Sequence, residues 1–121
     1  MREPLRDKGR LEHILYAIDT ILERAEKMTF DELTSDKIVY FGLVYHTMVI
    51  GEACYKLSPD FVSAHPQVNW RVIAGMRHHL VHGYYQVNPH DVFDVIKNDL
   101  RPLREQIVNL LAETDWDEWE K

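Results

Sequence analysis

"LEHILYAIDTILERA", residues Leu11 to Ala25, decides what kind of fold this chain can adopt. Leu11, Ile14, Leu15, Ile18, Leu22 and Ala25 recur at three- and four-residue steps, and Ile21 widens the stripe. Glu12, Asp19, Glu23 and Arg24 fall mostly outside it. A helix turns once in 3.6 residues, so this spacing lines one side of it with apolar groups. The pattern predicts an amphipathic helix over 7–27 that must bury that side against other helices.

Downstream the period stays helical. Thr29-Phe30-Asp31-Glu32 has capping-box spacing and predicts a short helical turn. Ser35-Asp36 opens a second long helix over 35–57, with a stripe of Ile38, Phe41, Tyr45, Met48, Glu52 and Tyr55. Val39, Leu43, Val44 and Val49 make its other sides apolar too, which places it centrally in a bundle or against a second subunit. Glu52 lies on the stripe, where an unpaired carboxylate is costly, so it is expected to be paired or to face a cleft. Ser58-Pro59-Asp60 ends that helix, and a short helical piece to Ala64 precedes the connector His65-Pro66-Gln67. Asn69 can cap a helix from Trp70 to His82, with Gly83 free to end it. Asn88-Pro89 starts a last helix over 89–113, with Asp91 near its positive end and Pro102 expected to kink it. The acidic tail 113–121, with two tryptophans, is expected to fray. No period-two strand appears. The expectation is one all-α domain over 1–121, an up-and-down bundle of four main helices plus one short helix.

With 121 residues and 45 % apolar content, the chain suits a single core. The charged start, Met1 to Lys8, lacks the apolar centre of a signal peptide, and no apolar run is expected to reach the roughly 20 residues of a membrane span. One cysteine, Cys54, fits a reducing cytoplasm. The net charge of −6 argues against a broad nucleic-acid surface, but its distribution is uneven. From Phe61 to His90 there is no Asp or Glu, while Arg71, Arg77 and five histidines are present. That window carries +2 with neutral histidines, leaving −8 on the rest of the −6 chain.

Inside the acid-free window stands "RHHLVHGY", Arg77 to Tyr84. Arg77, His78, His79 and His82 fit three roles. They can be partly buried polar residues of a bundle. His78 and His82, one turn apart, can begin a metal site, but no nearby Cys, Asp or Glu supplies a third ligand. Or they can cleave RNA without metal or cofactor: an imidazole moves protons near neutral pH, an arginine holds phosphate oxygens, and the RNA 2′-hydroxyl is a built-in nucleophile.

The order of motifs settles on a family. Arg77-x4-His82-x-Tyr84 resembles the Arg-x4-His-x-Tyr motif of HepT-type toxins, helical ribonucleases of the HEPN superfamily. Gly51-Glu52-Ala53, His65-Pro66, Trp70-Arg71, Gly75-Met76 and Asn98 to Leu103 resemble the motif's usual surroundings, so the likeness covers about 10–112. His78 stands where the family usually has Asn or Asp. The resemblance implies a homodimer whose two motif segments meet in a cleft, and endoribonuclease activity on cellular RNA. It implies a partner, an MNT-type nucleotidyltransferase antitoxin, that transfers AMP onto Tyr84. Arg77 would stabilise the phosphate, His82 would act as general acid and base, and Tyr84 would line the site. Glu52, His78, His79 and Arg71 are possible supporting residues. The alternative is a non-catalytic helical dimer that binds a nucleotidyltransferase and RNA or nucleotide.

Overall fold

The computed structural model describes residues 6–75 and 87–121. Every regular element among them is helical: α1 (Asp7–Ala25), α2 (Phe30–Ser35), α3 (Lys37–Tyr55), α4 (Pro59–Ala64), α5 (70–75), α6 (Pro89–Asp94), a π-helical turn (Val95–Asp99), α7 (Leu100–Glu113) and α8 (Trp116–Trp119). The all-α expectation therefore holds over the described residues. Several helices start where capping chemistry puts them. Thr29 and Glu32 form the reciprocal capping box of α2. The Asp36 carboxylate accepts from the N–H groups of Ile38 and Val39. Ser58 caps α4, and Asn88 accepts from His90 N–H at 2.9 Å before α6.

The core lies where α1 packs along α3 and α7. Leu11, Ile14, Ile18, Ile21 and Leu22 of α1 are buried, as the opening stripe predicts. They meet Leu43 and Ile50 of α3, Ile96 of the π turn and Leu100, Leu103, Ile107 and Leu110 of α7 in one cluster. Charged pairs tie the rim: Arg104 to Asp19 at 2.6 Å and Arg101 to Glu26 at 2.6 Å. Lys97 Nζ donates to the Glu26 carbonyl at the end of α1, a cation on the negative end of a helix.

Four sequence expectations need correction. The stripe proposed for α3 is not its core side. Ile38, Phe41, Tyr45 and Tyr55 are exposed, and the buried side is Tyr40, Leu43, Thr47, Ile50, Gly51, Ala53 and Cys54. A helix apolar all round has no period to mark its inner face, and the small residues Gly51, Ala53 and Cys54 allow close approach. The tail does not fray. Trp116 stacks on Phe61 at 5.7 Å, and Trp119 Nε1 donates to Asp7 Oδ2 at 3.0 Å, so α8 is docked across both ends of the described chain. Third, the 19 residues of α3 are long and apolar enough to cross a membrane by length and composition. Its packing along α1 is that of a core helix.

Pro102 does not simply kink the last helix. The irregularity falls one turn earlier, where Leu100 N–H donates to the Val95 carbonyl five residues back. A proline has no N–H to give and its ring crowds the carbonyl four residues before it. The wider π turn places that crowding where the helix is already loosened.

Candidate active site

Arg77, His78, His79, His82 and Tyr84 all lie outside the described residues, as do the expected end of the third helix at His82 and Gly83. What is described is the frame on either side of them. Helix α5 leads towards the motif, and its first residue is firmly held. Trp70 is 5 % exposed, and its Nε1 donates to the His65 carbonyl at 2.9 Å. Its ring meets Phe61 edge-on at 6.1 Å, and Phe61 also touches His65, Trp116 and Trp119. An aromatic knot thus fixes the segment that carries the chain into the motif. Arg71, the next residue, is exposed, as a residue available to phosphate must be. On the far side, Phe30 stacks on His90 at 4.1 Å, and α6 begins the return.

Glu52 sits near the end of α3, part-buried, with Lys56 Nζ 3.1 Å from its carboxylate. The expectation that it is paired or faces a cleft is met on both counts. It lines a groove of about 270 Å³ between α1 and α3, together with Arg10, His13, Tyr45, Met48 and Val49. Arg10 and His13 were not singled out by sequence. They lie some 40 positions before Glu52, and only the α1–α3 packing brings them together. Arg10 Nε is buried and has no hydrogen-bond acceptor among the described residues. A larger cavity of about 800 Å³ lies beside α8, bordered by Arg6, Asp7, Lys56, Ser58, Trp119 and Lys121.

The Arg101 guanidinium hydrogen-bonded to Glu26 holds that carboxyl below its usual range. Hydrogen bonds from Thr29 do the same for Glu32. Burial pushes the Cys54 thiol up to about 12, so it is a packing residue and not a nucleophile. Among the described residues, no three His, Cys, Asp or Glu side chains gather as a metal set.

The described residues are helical in every regular element, and in the sequence the Arg-x4-His segment falls between α5 and α6. Residues 14–110 match the model of the family described as "Ribonuclease HepT-like", and the chain belongs to that family, within the HEPN superfamily. A protein of Caldanaerobacter subterraneus subsp. tengcongensis named "Putative RNase TTE0752" is 33 % identical over 101 residues, 84 % of this chain and 90 % of that one. "Probable ribonuclease HepT" of Thermococcus cleftensis is 33 % identical over 97 residues, covering 80 % and 88 %. "Putative RNase MJ0127" of Methanocaldococcus jannaschii is 32 % identical over 106 residues, covering 84 % and 88 %. No solved structure matches the chain significantly. Family and relatives alike indicate a ribonuclease.

Proposed function

We propose that the protein is a metal-independent endoribonuclease toxin, that Arg77 and His82 are its catalytic residues, and that AMP transfer to Tyr84 neutralises it. The observation that carries this reading is the family match over 14–110, which contains the whole Arg77-x4-His82-x-Tyr84 set. The chemistry is self-sufficient. His82 takes the proton from a ribose 2′-hydroxyl as that oxygen attacks the adjacent phosphorus. The bond from phosphorus to the 5′-oxygen breaks, leaving a cyclic phosphate and, once the leaving oxygen is protonated, a 5′-hydroxyl. Arg77 holds the non-bridging oxygens as their charge grows. Glu52, His78, His79 and Arg71 support the site, Glu52 by orienting Arg77 or a histidine. An AMP ester on Tyr84, two residues from His82, places bulk and negative charge where the RNA phosphate must sit.

The partners are RNA, an MNT-type nucleotidyltransferase antitoxin and a second copy of the chain, acting in the cytoplasm. The homodimer is supported by the outer side of α3, where Ile38 is 86 % and Phe41 56 % exposed. Exposed apolar residues at heptad spacing suit a helix that meets its own copy.

The test is cleavage of RNA in EDTA. Wild type is expected to cut, and Arg77→Ala and His82→Ala each to lose about 10²-fold or more in rate. Cleavage that survives both substitutions removes the assignment. Incubation with the antitoxin and ATP is expected to add one AMP to wild type and none to Tyr84→Phe.

A further inference from the structure

The C-terminal α8 has only four residues, and a helix that short does not hold itself together in water. It is held by its two tryptophans, and both reach the same ring. Phe61 of α4 has no exposed surface. Trp116 stacks on it at 5.7 Å with the planes 19° apart, and Trp119 meets it edge-on at 5.4 Å. Hydrogen bonds fix both indoles. Trp116 Nε1 donates to the Leu111 carbonyl at 3.0 Å, and Trp119 Nε1 to Asp7 Oδ2 at 3.0 Å. The Asp7 carboxylate also accepts from Ser58 N–H at 2.8 Å and from Ser58 Oγ at 2.6 Å. Ser58 caps α4, so this latch ties α8, the start of α1 and the start of α4 at one point.

The tail thus grips Phe61 with two rings, and two more come from the segment that leads to the motif. His65 lies against Phe61 at 4.4 Å and Trp70 at 6.1 Å, and Trp70 Nε1 donates to the His65 carbonyl at 2.9 Å. Trp70 opens α5, whose described residues end at 75, just short of Arg77 in the sequence. Trp116, Phe61 and Trp70 therefore make a train of rings from the tail to the helix that enters the motif. Stacked and edge-on aromatic pairs have preferred geometries, so each ring sets the next. The family match ends at residue 110, before α8 begins. Catalytic geometry is exacting: a misplacement of about 1 Å at the reacting groups costs on the order of 10²-fold in rate.

We propose that Trp116 is a positioning residue for RNA cleavage, acting through Phe61 and Trp70 on α5 and so on where the chain enters the Arg77–His82 motif. The proposal rests on the ribonuclease reading and deepens it. Trp116 works at a distance from the reacting atoms. Its ring sets where α5 stands, and losing it slows the chemical step without loosening the hold on RNA.

The experiment uses the full chain. Trp116→Leu removes the ring from Phe61, whereas Trp116→Phe keeps a ring and gives up only the bond to Leu111. Cleavage of RNA is followed by steady-state kinetics, and hydrogen exchange by peptides covering 68–75, with α1 amides as the reference. Trp116→Leu is expected to lower kcat about tenfold with KM within about twofold, and to speed exchange in 68–75 while α1 keeps its protection. Trp116→Phe is expected to bring kcat back to within about threefold of wild type. Ile18→Val truncates the core of α1 and lowers the melting temperature without touching the ring train, and its kcat is expected to stay within about twofold of wild type. Trp116→Met, apolar but ringless, takes the place of Trp116→Leu if the latter does not fold. An unchanged kcat or unchanged exchange in the folded ringless variant, an equal loss of kcat in Ile18→Val, a raised KM at unchanged kcat, or a Trp116→Phe as slow as Trp116→Leu would each overturn the proposal. Wild type that leaves RNA uncut would instead remove the ribonuclease reading, and exchange in 68–75 that still follows the Trp116 ring would leave its grip on α5 standing.

Discussion

The two sides of α3 are both apolar, yet they do opposite things. The inner side, with Leu43, Thr47, Ile50, Gly51 and Cys54, is sealed against α1. The outer side, with Ile38, Phe41, Tyr45 and Tyr55, stands open. The inner side is mostly small or branched, with the ring of Tyr40 buried among them, while the outer side carries the rings of Phe41, Tyr45 and Tyr55 beside the branched Ile38. Hydrophobic content marks α3 as apolar on every side, and only its packing against α1 shows which side the fold covers.

The contrast can be broken most directly at Ile50, which has no exposed surface. Ile50→Ala is expected to cost about 2–5 kcal/mol of unfolding free energy by urea titration, and a cost near zero would mean that the inner side is not the core. The α8 latch comes next. Asp7→Ala strands the Ser58 and Trp119 donors and is expected to cost about 1–3 kcal/mol, visible as a lower Tm and earlier proteolysis of the tail. A paired Ile38→Ser and Phe41→Ser change on the outer side is expected to shift the sedimentation mass towards monomer with stability altered by roughly 0.5 kcal/mol per site or less. A dimer that persists would direct the search for the interface elsewhere. Cys54, on the inner side with its thiol pushed up to about 12, is expected to resist alkylation at pH 8 until the protein is unfolded. The smallest effect is on acid stability. The carboxyls of Glu26 and Glu32 titrate below their usual range in the fold. Their contribution is present above the unfolded carboxylate value and is lost as pH falls through the lower folded values. Glu26→Gln should therefore flatten the stability profile below about pH 4.5 and hardly alter it at neutral pH.

Much of the architecture could be read from the chain because it is local. The stripe of α1, the Thr29–Glu32 box and the Asn88-Pro89 start each depend on residues within a few positions of one another, and each is found as expected. What escaped was non-local. Periodicity could not choose the inner side of α3, where every face is apolar. Nor could it show that Trp116 and Trp119 have Phe61 and Asp7 waiting for them. The candidate site divides in the same way. Arg77, His82 and Tyr84 announce themselves by spacing, and Glu52 by lying on an apolar stripe. Arg10 and His13 sit at ordinary polar positions of an amphipathic helix and carry no signal until α3 lies beside them.

The π turn at Val95–Asp99 sets the phase of everything beyond it. One residue in a helix corresponds to about 100° of rotation. Leu103, Ile107 and Leu110 reach the core only because the wide turn absorbs an extra residue ahead of them. Removing a single amino acid from that turn would swing the final helix around its axis, aiming its charged flank at α1 and its leucines at water.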